Sequence, residues 1–129
     1  MYHVARTSAI ESILAHGLTP RIGERSLEFG ETEPAVYAFP TVKDCHTALS
    51  QWLGDWFTEQ EEIEGEAISL TVIAFDPTGI AQLPQTVEFE VRFSQPIPPE
   101  AFRELLSEHE LGRRAHVSLM ADAHAQLAA

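Results

Sequence analysis

Cysteine is almost absent. Cys45 is the only one in 129 residues, which excludes an internal disulfide and any zinc site built from several cysteines. Basic residues are scarce: 8 Lys and Arg stand against 20 Asp and Glu, for a formal net charge of -12. Such a chain repels a phosphate backbone at long range, so non-specific nucleic-acid binding by counterion release is disfavoured. No apolar run approaches the roughly 18 residues a membrane span requires. The opening MYHVARTSAIE lacks the apolar region of a secretory signal. A cytoplasmic protein with no membrane partner is the expectation. The chain also has no G-x-S-x-G, no P-loop and no G-x-G-x-x-G, which leaves the standard hydrolase, nucleotide-kinase and Rossmann readings without support. Its histidines (His3, His16, His46, His109, His116 and His124) make no close pair with carboxylates at metal-ligand spacing, so no metal site is expected.

What remains is ordinary in bulk, with 44% apolar and 22% charged residues, and the length fits one domain over 1–129. The pattern predicts an α+β domain with small mixed or antiparallel sheets and flanking helices. Strands are expected near 2–5, 35–39, 67–75 and 87–93. AISLTVIAF (67–75) is nearly continuous apolar sequence, as in a strand buried on both faces. Ser8 and Glu11 form a capping-box pattern for a first helix that ends at Gly17. Thr41 with Asp44 caps a second, amphipathic to about Phe57, with Trp52 and Trp56 as core anchors on one face. The glutamate-rich stretch 58–66 reads as a solvated loop, PIPPEAFRELL as a third helix and HVSLMADAHAQLAA as a C-terminal one. Residues 19–34 have no periodicity and form a long loop, a length usually reserved for function; it carries Arg21, Arg25 and Ser26.

Several side chains in this layout suit chemistry. VEFEVRF (87–93) alternates cleanly, with Val87, Phe89, Val91 and Phe93 on one face and Glu88, Glu90 and Arg92 on the other. Glu88 and Glu90 then lie roughly 6.6 Å apart along the strand, close enough to act on one ligand. The bland alternative is the wet face of an antiparallel strand. His3, opposite in facing to Tyr2 and Val4, either donates to a ribose hydroxyl or is a satisfied histidine in a packed sheet. Cys45 faces inward with Val42 and Leu49 as a core thiol. Arg6, Arg21 and Arg25 cluster early in an acidic chain, an arrangement that suits a small anion better than a polymer.

As a set these residues resemble the compact ADP-ribosyltransferase fold. YHVARTSAIESILAHGLTP looks like that family's opening strand, capped helix and Gly-Leu-x-Pro, and RIGERS, AVYAF and VEFEVRFSQPIPPEAF follow in the same order. The resemblance spans about residues 2–102. It implies that the family's His-Tyr-Glu triad falls on His3, Tyr37 and Glu90, with Glu88 completing an E-x-E. In that family the histidine holds the NAD ribose and the tyrosine stacks near the nicotinamide. The glutamate bonds the ribose and supports an oxocarbenium-like transition state. Arg6, Arg25 and Ser26 would then help to bind NAD, which is a substrate, and the acceptor of ADP-ribose would be a protein or a nucleic acid. The Ser-Thr-Ser and His-Gly-Thr motifs of two branches are missing, and His-Val-Ala stands in place of the latter. That departure leaves open a catalytically degenerate nucleotide- or protein-binding module of the same fold, and beyond it a small acidic interaction module without a ligand.

Overall fold

The computed structural model describes residues 1–22, 33–85 and 89–128, with side chains to residue 118. Strand β1 (Tyr2–Arg6) leads through a 3-10 turn (Thr7–Ala9) into helix α1 (Ile10–His16). Strand β2 (Val36–Ala38) precedes helices α2 (Val42–Ser50) and α3 (Trp52–Glu64). Strands β3 (Leu70–Phe75) and β4 (Val91–Phe93) follow, then a 3-10 turn (Pro99–Ala101), strand β5 (Phe102–Ser107) and helix α4 (Glu108–Ala128). The class is α+β with four α-helices among the described residues, and both sheets are purely antiparallel rather than mixed: β1-β3-β5, and a β2-β4 ribbon.

The three-stranded sheet is covered on both faces. One side packs Ala5, Ile73 and Phe75 against Ile13 of α1 and against Val36, Ala38 and Phe93 of the ribbon. The other packs Val72 and Leu106 against Cys45, Ala48, Leu53 and Leu111 of the helices. The central strand β3 therefore buries both of its faces, and each fully buried Ile73- or Phe93-sized side chain contributes about 1.5–3 kcal/mol. No helix among the described residues is long and apolar enough to cross a membrane.

Four expectations about elements are corrected. The Ser8–Glu11 capping box does not form, because Ser8 lies inside the 3-10 turn, which Thr7 ties back to β3 through its N–H on Ser69 O (2.8 Å). The long second helix breaks at Gln51, where the backbone leaves helical space, although the Thr41 cap on Asp44 N–H is present at 3.0 Å. At the break Gly54 packs against Leu49 O so closely that a Cβ would sit 1.9 Å from that oxygen. The glutamate-rich stretch is helix as far as Glu64, since Glu and Gln are good helix formers that need no apolar partner on a solvated face. Residues 102–107 form β5 instead of a helix: pairing with Thr71–Phe75 overrides the helical spacing of Phe102, Leu105 and Leu106.

Candidate functional site

The two sheets meet at a single rung and then part. Tyr2 N–H donates to Phe39 O (2.9 Å) and Phe39 N–H to Tyr2 O (2.8 Å). On its other side β1 bonds β3 through its odd-numbered residues, as Phe75 N–H to Met1 O and Thr7 N–H to Ser69 O fix the alternation. The even-numbered residues therefore turn their main-chain groups outward. Tyr2 spends its pair on Phe39. Val4 is next in that row, and β2 has swung away, so its N–H and C=O point into the gap between the sheets.

That gap is a cleft of about 680 Å³, a size that takes a small-molecule ligand or cofactor. His3, Arg6, Arg21, Tyr37 and Glu90 all line it. His3 reaches across the split, its ring Nδ1 donating to Tyr37 O at 2.6 Å. Because a carbonyl can only accept, this bond fixes the proton on Nδ1 and leaves Nε2 of the neutral ring as an acceptor. Burial pushes the imidazole below its usual pKa; the bond to Tyr37 opposes that shift and the Arg21 charge adds to it. Arg21 is held at the cleft by a backbone bridge to Ala35, 3.3 Å in each direction. Arg6 lines the cleft while its Nη1 bonds Glu64 Oε1 at 2.8 Å, an exposed pair that lowers the Glu64 pKa.

Glu90 corrects the reading of its segment. The alternation of 87–93 breaks at Phe89, whose φ of 66° is left-handed and whose side chain is 50% exposed. For a bulky residue that is a strained backbone. The chain turns there, and β4 begins only at Val91, so Glu90 precedes the strand and is not centred in it. Its side chain is 2% exposed and Arg92 is 7% exposed, so this is no wet strand face. Arg92 sits opposite Tyr37 in the ribbon and anchors the preceding segment, donating from Nη2 to Pro84 O at 2.6 Å while its own carbonyl accepts from Leu83 N–H at 2.8 Å. A carboxylate this deep is costly to keep, and beside a cleft it marks a functional candidate.

The structure thus brings together His3, Tyr37, Glu90 and Arg6, although His3 and Glu90 are distant in sequence. Glu88, Arg25 and Ser26 lie outside the described residues. Cys45 is fully buried, its thiol pushed up to about 12 by desolvation and then by Asp44, which suits a core thiol. Among the described residues no cluster of metal-ligating side chains forms. Three features escaped sequence reasoning: the outward main-chain groups of Val4, the polar Ser12 and His16 of α1, and the α3 wall of Leu53, Trp56 and Phe57. The i, i+4 spacing of Ser12 and His16 was a visible sign of one polar helix face. Nothing in the sequence separated Trp56 from Trp52. Comparison with known protein families, with curated proteins and with solved structures finds no match to this chain.

Proposed function

We propose that this protein binds NAD in the cleft and transfers its ADP-ribose to an acceptor, in the manner of the ADP-ribosyltransferase fold that its sequence resembles. The observation that carries the reading is the convergence of His3, Tyr37 and Glu90 on one cleft that also holds Arg21. Each group fits one part of the dinucleotide. His3 Nε2 accepts from a ribose hydroxyl. Arg21 meets the pyrophosphate, which is anionic. The N–H and C=O of Val4 match a carboxamide, which offers one acceptor and one donor in a plane. When the bond between ribose C1′ and the nicotinamide nitrogen breaks, its electron pair leaves with nicotinamide and positive charge develops on the ribose. The Glu90 carboxylate stabilises that charge. An acceptor nucleophile then bonds C1′ and gives up its proton, completing the transfer.

Calorimetric titration with NAD, followed by chromatography for released nicotinamide, tests this. Binding with nicotinamide release is the expected result. Binding without release would make the protein a nucleotide-binding module of the same fold, and no binding at millimolar NAD would overturn the reading.

A further inference from the structure

The α3 wall of the cleft has no part in the chemistry above. Leu53 and Phe57 both line the cleft and pack into the second core cluster, whereas Trp52 packs into that cluster without lining the cleft. Trp56 lines the cleft but belongs to neither core cluster among the described residues. Its ring meets Phe57 edge-on, with centroids 5.0 Å apart and planes at 78°, so the two rings do not stack on each other. A half-buried indole beside a ligand-sized cleft is a stacking surface with an N–H at its rim.

We infer that Trp56 is the seat of a planar heteroaromatic ring of the bound dinucleotide, an assignment that rests on the proposed reading of the cleft. The polar groups at His3, Arg21 and Glu90 suit ribose and phosphate, whereas a flat base calls for a broad aromatic face. Trp56 supplies one on the same cleft. Two rings of NAD carry the required chemistry, the pyridine carboxamide and the adenine, and separate probes distinguish them. Base-on-indole stacking at one site changes affinity by roughly 5- to 100-fold.

The test is calorimetric titration of wild type, Trp56→Ala and Trp56→Phe with NAD, ADP-ribose and nicotinamide. Tryptophan emission is followed in a Trp52→Phe background, where Trp56 is the sole indole because the chain has two tryptophans. Trp56→Ala is expected to bind NAD about tenfold or more weakly, with the same loss for whichever fragment carries the seated ring. Trp56→Phe loses less, and that fragment quenches Trp56 emission. Wild-type affinity of Trp56→Ala for all three probes overturns the seat and leaves the reading of the cleft standing. Failure of the wild type to bind any probe overturns both.

Discussion

The His3 imidazole donates from Nδ1 to the main-chain oxygen of Tyr37 at 2.6 Å, across 34 positions of sequence. This bond spans the split between the two sheets where their backbones no longer pair. It also sets the tautomer: Nδ1 is occupied, so any ligand hydroxyl at Nε2 meets a lone pair.

The protonation state of His3 therefore couples to stability and, under the proposed function, to NAD binding. Burial holds its folded pKa below the 6.5 of the free side chain. Above pH 6.5 the ring is neutral in the folded and unfolded chain alike, and the contribution of His3 to stability is fully present. As pH falls below 6.5 the unfolded chain takes up the proton first, so stability is lost down through the folded pKa. Protonation also turns Nε2 from acceptor to donor, so NAD affinity is expected to fall as pH drops through the lowered folded pKa, below the point where the unfolded chain titrates. In His3→Gln, which has no titrating ring, that fall in affinity should be absent; an equally steep profile in that variant would assign the titration elsewhere.

Arg21 lines the cleft and its charge lowers the His3 pKa. Arg21→Ala is expected to weaken NAD binding by about 1–2 kcal/mol, the scale of one exposed charge-assisted hydrogen bond. The same change removes a positive charge that depresses the His3 pKa, so the His3 titration followed by NMR should move upward. An unchanged dissociation constant together with an unmoved His3 titration would return Arg21 to ordinary surface charge.

Gly17 ends α1 and lines the cleft at a φ of 82°, and a Cβ there would lie 2.4 Å from Ile97 O. That oxygen is already held by Leu18 N–H at 2.9 Å, so it has little freedom to retreat. Gly17→Ala is expected to destabilise the fold by about 2 kcal/mol or more, from the left-handed backbone and the contact combined. A denaturant midpoint equal to that of the wild type would contradict the close packing of this turn.

Cys45 is buried among Ala48, Leu53 and Leu111, with its thiol pushed up to about 12. Ellman's reagent should leave the native protein unlabelled at pH 8 and should titrate one thiol once the chain is unfolded. Rapid labelling of the native state would show that the α2 face opens.

Much of the architecture was legible because period and punctuation agreed. MYHVA reads as a strand and forms β1 from Tyr2, AISLTVIAF yields β3 over its last six residues (Leu70–Phe75), and the Thr41 cap opens α2 where the sequence places it. The errors have physical causes. Leu105 and Leu106 with Phe102 mimic a helix face, yet the free edge of β3 makes residues 102–107 a strand. The alternation of VEFEVRF gives no sign that Phe89 is left-handed, because only tertiary context holds a bulky residue there. At the candidate site, His3, Tyr37 and Glu90 were nameable as residues, but their shared cleft depends on the sheets parting after Tyr2–Phe39, a three-dimensional event with no local signal.

The most direct test of the central claim is the rate of nicotinamide release from NAD by Glu90→Gln, measured beside NAD affinity. The substitution keeps the shape of the 2%-exposed side chain and removes its charge. A group that acts on developing charge should alter turnover more than ground-state binding. The expected outcome is turnover lower by about two orders of magnitude or more, with the dissociation constant within a fewfold of wild type. Wild-type turnover retained by Glu90→Gln would show that Glu90 is not the carboxylate that supports cleavage.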